Sequence, residues 1–285
     1  MHRKNGFTLI ESSHEVAKSP RRRGYTSAFT LIELSMVILI IALVISGAFV
    51  GKNMMAAAEL RTVLSEYDMY TKAVKEFSDK YQAMPGDFGN SAATGNWGAD
   101  TCPGGANTPK RATCDGDADG TIGDWLNGAP QGAVKQREWF YAWQHLANAG
   151  MIEGQYSGVA ASGTTVTSIG TNVPRSKISR GGGWTLMYMA TSDNGADTNF
   201  YFAPTASHTL IFGSQTTNSF TDAAVLTPIE TKNIDDKMDD GMPYTGNLRV
   251  KKIVGNVCAI DSTSTAAYRL TADTNACQLL FMMGM

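Results

Sequence analysis

The feature that most constrains this chain is an apolar segment near its N-terminus. Residues 29–50, FTLIELSMVILIIALVISGAFV, contain one charged residue, a glutamate. As an α-helix, these 22 residues extend for about 33 Å, enough to cross a hydrocarbon core of roughly 30 Å. The segment therefore predicts a membrane-spanning helix, with a cleaved secretory signal and a buried core helix as the alternatives.

The distribution of charge gives this segment an orientation. Residues 1–28 carry six basic and two acidic residues, a net charge of +4. The whole chain has a net charge of −2, so the remaining residues have a net charge of −6. A basic leader before an apolar segment agrees with the positive-inside bias, which keeps the leader in the cytoplasm and exports the C-terminal part of the chain. The acidic remainder argues against nucleic acid as a partner, because phosphate binding needs clustered Lys and Arg.

Glu33 is the charged residue within the apolar segment. A carboxylate in a membrane helix is costly unless a cation pairs with it. The first basic residue on its C-terminal side is Lys52, more than two helical turns away. We therefore expect its partner to be a free α-amino group, created by cleavage of the chain just before Phe29.

The sequence FTLIE at 29–33, with a basic leader before it and an apolar helix behind it, resembles the N-terminus of type IV prepilins and type II secretion pseudopilins. In that family a membrane peptidase removes the leader, the new N-terminal Phe is methylated, and a glutamate at the fifth position supports packing in a helical filament. The resemblance implies cleavage between Ala28 and Phe29 and an assembly role for Glu33. Ala28 stands where the family normally has glycine. A second FTLIE at 7–11 has no apolar helix behind it and is assigned no role.

The resemblance also implies a location and partners. It implies a single-pass protein of the bacterial inner membrane, with a C-terminal head in the periplasm, that joins a pilus or a pseudopilus as a minor subunit. The implied partners are other pilin or pseudopilin subunits, the prepilin peptidase and the inner-membrane assembly platform. A calcium-dependent adhesin or substrate-recruiting tip subunit is the alternative. No enzyme is expected, because the sequence has no nucleophile elbow, HExxH motif or phosphate loop.

Residues 51–83 predict an amphipathic continuation of the helix. Apolar side chains recur there at helical spacing, and Pro85 and Gly86 then end the pattern. The apolar stripe consists of Leu60, Val63, Leu64, Tyr67, Tyr70, Val74, Phe77 and Tyr81.

Residues 84–285 predict a globular head. A helix is expected at 138–149, with its aromatic residues in the core, and short β-rich runs from about residue 154 onward predict an antiparallel sheet. The predicted fold class is α+β: a long N-terminal helix, with a membrane half at 29–50 and an amphipathic half at 51–83, packed on this head. The leader at 1–28 precedes it.

The head contains a candidate calcium loop at residues 115–121, DGDADGT. Alternating aspartates followed by glycine match the start of a loop in which oxygen ligands surround a calcium ion, although the twelfth position is Leu126 instead of Glu. A solvated acidic turn is the alternative. The candidate ligands are Asp115, Asp117, Asp119, the Thr121 carbonyl, Asp124 and Glu138.

Two further features of the head have alternatives. Four cysteines form two local pairs, Cys102 with Cys114 and Cys258 with Cys277, which predicts disulfides in an oxidising compartment, with four free thiols as the alternative. Four aspartates at 235, 236, 239 and 240 are expected to surround a Lys-bearing loop as an acidic turn, with a second cation site as the alternative.

Overall fold

The computed structural model describes residues 29–89, 91–98, 113–123, 134–159, 167–189, 207–216, 220–251, 257–261 and 263–285. The chain divides into two compact units, Met1–Lys52 and Asn53–Met285. The predicted leader at 1–28 lies outside the described residues.

Helix α1 spans Leu31–Tyr81. In the second unit its predicted apolar stripe is buried or partly buried, and Val63, Val74 and Phe77 are fully inaccessible. The helix ends where Gln82 adopts a left-handed φ of 54° while its N–H still bonds to the Ser78 carbonyl. The prediction of an amphipathic helix at 51–83 is therefore confirmed over the part of α1 that lies in this unit.

The described part of the second unit contains three further helices. Helix α2 spans Ala92–Trp97, α3 spans Val134–Asn148 and α4 spans Pro228–Met238. The aromatic residues of α3 are buried, as the sequence predicts. The expectation that Asp235 and Asp236 lie in an acidic turn is wrong, because they belong to α4, whereas Asp239 and Asp240 directly follow this helix. Helix α4 begins with a capping box in which Thr227 and Glu230 exchange hydrogen bonds, followed by a proline in the first turn.

Four antiparallel strands form one sheet in the order β1-β2-β4-β3. Strand β1 spans Gly183–Met189, β2 spans Ser207–Gly213, β3 spans Leu248–Val250 and β4 spans Leu279–Met282. Residues 267–272, AYRLTA, are one of the β-rich runs that predicted the sheet, but they form a turn with a bridge between Ala259 and Tyr268 instead of a strand. The predicted α+β class, with helices and an antiparallel sheet, is confirmed.

Aromatic rings join the sheet to the helices in the second unit. Tyr67 of α1 stacks on Phe281 of β4 at 4.8 Å between ring centroids. Tyr70, one turn further along α1, contacts both Trp143 of α3 and Trp184 of β1 edge-on. Because these side chains are large, their burial from water provides much of the core's stability.

Candidate functional site

The N-terminus of α1 carries the residues predicted for processing and assembly. Phe29 is exposed, and Ala28 lies outside the described residues. The Glu33 carboxylate accepts hydrogen bonds from the backbone N–H and the hydroxyl of Thr30, both at 2.8 Å, and the Glu33 N–H donates to that hydroxyl at 3.2 Å. This reciprocal pattern is a capping box, which satisfies N–H groups that a helix start leaves unpaired. The Thr-x-x-Glu spacing signalled it in the sequence.

The apolar part of α1 is exposed along its length. Leu31–Ala48 has a mean hydropathy of 2.6, and none of its residues is buried. By length and composition this helix can cross a membrane, and a signal sequence near an N-terminus has the same properties. Apart from Glu33 and two serines, its side chains are apolar on all sides of the helix, as is typical of a helix whose surroundings are apolar.

In the head, three acidic side chains converge where the calcium loop was predicted. Asp87, Asp117 and Glu138 each offer a carboxylate oxygen, and these oxygens lie within 4.8 Å of one another. Asp117 and Glu138 belong to the predicted ligand set. Asp87 was missed, because it precedes the loop by almost thirty residues and only the fold brings it close.

Close packing of the backbone brings Asp87 to this cluster. Gly89 and Gly116 pair as an isolated bridge, and a Cβ at Gly116 would overlap the Gly86 carbonyl oxygen. Asp87 also lines an open cleft of about 620 Å³ together with Gly120.

Backbone N–H groups surround the two buried carboxylates of this cluster. Glu138 accepts hydrogen bonds from Asp117 and Gly123, and Asp87 accepts them from Asp119 and Gly120, at 2.8–3.0 Å. Burial nevertheless raises the pKa of Glu138 to about 8 and that of Asp87 to about 6, and the charges of neighbouring aspartates add to both increases. The cluster therefore favours either a proton or a cation at neutral pH.

The other predicted ligands occupy different positions. The Asp115 carboxylate accepts hydrogen bonds from the Ala93 and Thr94 N–H groups and from the Thr94 hydroxyl, at 2.9–3.1 Å, and so holds the start of α2. Asp119 accepts hydrogen bonds from the N–H and hydroxyl of Thr121 at 2.9 and 2.6 Å. Asp124 lies outside the described residues.

Cys114, Cys258 and Cys277, the cysteines of the head that the structure describes, are disulfide-bonded. Cys258 and Cys277 form a disulfide across a sequence separation of 19, as predicted. Cys114 is disulfide-bonded as well, and Cys102 lies outside the described residues. Disulfides of this kind persist in oxidising compartments.

His145 ties the acidic loop to the end of α1. Its Nδ1 accepts a hydrogen bond from the Gly86 N–H at 3.0 Å, and its Nε2 lies 2.9 Å from the Cys114 carbonyl oxygen, to which it donates. Complete burial lowers the pKa of this imidazole to about 4, so it is neutral at pH 7. No local sequence pattern signalled this role.

No family model, curated protein or solved structure matches the chain. The function of the protein must therefore be inferred from its own residues: the exposed apolar helix, the capped Glu33 at its start, and the acidic cluster of the head.

Proposed function

We propose that this protein is a structural subunit of a type IV pilus or a type II secretion pseudopilus, with a minor place in the filament. The leader is removed before Phe29, the new N-terminus is methylated, and the subunit leaves the bacterial inner membrane by packing α1 against neighbouring copies or related subunits. The prepilin peptidase and the inner-membrane assembly platform are its processing and assembly partners, and the head lies in the periplasm or beyond.

The observation that carries this proposal is the N-terminal end of α1. Within α1, Leu31–Ala48 is an exposed, strongly apolar stretch of 18 residues that starts two residues after Phe29 and has one carboxylate, Glu33, within its first turn. A capping box at this helix start needs only an acceptor, which an uncharged glutamine also supplies, so the charge of a carboxylate there is a cost to an ordinary membrane anchor. A helix that moves from lipid into a filament core gains from one, because the carboxylate can pair with the α-amino group of an adjacent subunit.

The capping box sharpens the test of this role. Glu33 accepts two hydrogen bonds from Thr30 at the start of the helix. A substitution that removes the whole carboxyl group would therefore impair the helix start as well as assembly, and the two defects could not be told apart. Glutamine at position 33 keeps the acceptor of the capping box but removes the charge. Glu33→Gln therefore separates the two roles, and Glu33→Ala removes both.

We expect both Glu33 variants to insert in the membrane and to enter filaments at least about tenfold less than wild type, because an unpaired α-amino charge would remain in the apolar core. The measurement is the amount of each variant in sheared or cross-linked filaments, relative to its amount in the membrane. Ser35→Ala, on the same exposed turn, is the matched control and should enter normally. Normal entry of Glu33→Gln would mean that the carboxylate serves only the helix start.

A second proposal concerns the head: Asp87, Asp117 and Glu138 bind calcium. Their converging oxygens fit a hard cation, for which carboxylates are the preferred ligands, and the raised pKa values reflect a charge that a cation would neutralise. The same site favours the alternative function, a calcium-dependent adhesin or substrate-recruiting tip subunit, if the head binds a ligand only when calcium is present.

A further inference from the structure

A second group of carboxylates lies at the C-terminal end of α4. Asp235, Asp239 and Asp240 each offer an oxygen, and these oxygens lie within 4.8 Å of one another. Two oxygens that bind one calcium ion at roughly 2.3–2.6 Å can be about 5 Å apart at most, so the three can share one ion. Asp235 is buried, Asp239 is half-buried and Asp240 is exposed, and the group is therefore open to solvent on one side.

The loop after α4 fixes two of these carboxylates. Asp239 accepts hydrogen bonds from the N–H groups of Asn247 and Leu248. Asp240 accepts them from the Met242 N–H at 2.9 Å and the Thr245 hydroxyl at 2.6 Å. The loop passes so close that a Cβ at Gly246 would overlap an Asp239 oxygen, and the φ of 70° at Gly246 also favours glycine.

Asp235 provides the observation that points to a ligand. Its Oδ2 accepts a hydrogen bond from the Tyr268 hydroxyl at 2.7 Å. No group among the described residues meets hydrogen-bonding distance and angle at its buried Oδ1, although the Gly241 N–H is close enough to the carboxylate to lower its pKa. The Thr231 hydroxyl, one turn earlier on α4, is also buried and unpartnered within that part of the chain. An unpartnered carboxylate oxygen inside a protein is costly unless a cation or water contacts it.

The charges around Asp235 favour a cation over water. Lys232 is engaged with Asp236 at 2.6 Å on the exposed side of α4. The Arg249 guanidinium interacts electrostatically with Asp239 and Asp240, so one positive charge acts on two of the three carboxylates. Burial, followed by the charges of Asp240 and Asp239, raises the pKa of Asp235 to about 7, although Tyr268 and the Gly241 N–H oppose this. The C-terminal end of a helix also favours positive charge.

We propose that Asp235, Asp239 and Asp240 bind a divalent cation of the calcium class. The ion contacts the free Oδ1 of Asp235 and oxygens of the other two carboxylates, and water completes its coordination on the exposed side. It joins the end of α4 to the loop before β3 and, through Tyr268, to the segment that the Cys258–Cys277 disulfide closes. The site is independent of the proposed function and of the Glu138 cluster.

Terbium(III) luminescence tests this site, because a nearby tyrosine or tryptophan can sensitise the ion and Tyr268 bonds directly to Asp235. The full-length protein is used in non-ionic detergent, and Glu138→Gln is present in every sample to disable the other cluster. We expect sensitised emission that calcium displaces with an apparent Kd of roughly 0.1–1 mM, as for exposed extracellular sites.

Two variants and one control decide the assignment. Asp240→Asn, at the exposed side, and Asp235→Asn, which keeps the size of the side chain, should each weaken terbium binding at least about tenfold. Asp236→Asn, which changes an exposed neighbour paired with Lys232, should bind as the parent does. The melting temperature of each metal-free variant shows whether it has folded. Absence of sensitised emission in the parent, or equal binding by Asp236→Asn and a folded Asp240→Asn or Asp235→Asn, would overturn the proposal.

Discussion

At the scale of single residues, the raised pKa of Glu138 leads to a direct test by pH. Its pKa is raised from 4.5 to about 8, so the folded protein holds a proton there that the unfolded chain releases. Such a group makes the free energy of unfolding decrease as pH rises through this range. His145 acts in the opposite direction, because its pKa is lowered from 6.5 to about 4, and its effect is confined to pH values below about 6.5.

We therefore expect the melting temperature of the metal-free protein to decrease from pH 6.5 to pH 8, where Glu138 still titrates and His145 does not. Glu138→Gln should remove most of this decrease, and a smaller part should remain from Asp235, whose pKa is raised to about 7. Calcium should raise the melting temperature of the wild type at pH 8 more than that of Glu138→Gln.

Glu153→Gln, at an exposed carboxylate on the turn after α3, is the matched control and should keep the wild-type pH profile. The same decrease with pH in Glu138→Gln and in wild type would contradict the assignment of the buried charge to Glu138.

Sequence patterns revealed only part of this chemistry. Asp117 and Glu138 could be selected because they lie in or shortly after an aspartate-rich loop. Asp87 could not, because its proximity depends on the backbone contact between Gly89 and Gly116, for which no local pattern exists. The role of Glu33 in a helix cap was visible in principle, since the Thr-x-x-Glu spacing at Thr30 is a local signal. The role of Asp115 at the start of α2 was not, because 22 residues separate it from Ala93.

At the scale of elements, one buried carboxylate joins α1 to the sheet region of the head. Glu66 lies on α1 and is 5% exposed. Its two oxygens accept hydrogen bonds from the Lys177 N–H at 2.8 Å and from the Trp184 indole N–H at 2.9 Å. Glu59, two turns earlier, contacts Arg180, which also pairs with Glu230 of α4.

Glu66→Ala should destabilise the head, because it leaves two buried donors without acceptors. Each orphaned donor costs roughly 1–3 kcal/mol of unfolding free energy. Chemical denaturation followed by tryptophan fluorescence measures the change. Glu76→Ala, at an exposed position of the same helix, is the control and should change stability by no more than about 0.5 kcal/mol. A loss for Glu66→Ala no larger than that of the control would show that these bonds contribute nothing net.

The helix and sheet elements differ in how well local patterns predict them. The stripe from Leu60 to Tyr81 predicts α1 well, because a helical period repeated over several turns is a strong signal. The same pattern does not predict the burial of Glu66. The loop at 177 and the strand at 184 that bury this carboxylate come from far along the chain, so no local spacing of residues reveals the contact. The turn at 267–272 was mistaken for a strand because apolar and polar residues alternate in it over a short run. Its buried side chain, Tyr268, packs around the Cys258–Cys277 disulfide instead of in the sheet.

At the scale of the whole molecule, the proposal assigns different tasks to the two ends of the chain. The exposed apolar helix Leu31–Ala48 suits lipid or a filament core, whereas the head has its own core and an oxidised disulfide suited to an exported location. No catalytic step is needed for such a subunit. In the proposed function its activity is assembly, which requires a new N-terminus at Phe29.

The most direct test is the intact mass and N-terminal sequence of the protein, recovered from membranes of cells that also produce a prepilin peptidase. We expect a chain that begins with methylated Phe29. Ala28→Gly, which restores the residue usual before the cut, is the matched variant and should give the same product at an equal or higher yield. A wild-type chain that begins at Met1 or Phe7, in cells that process Ala28→Gly, would contradict the proposal that this protein is a cleaved filament subunit.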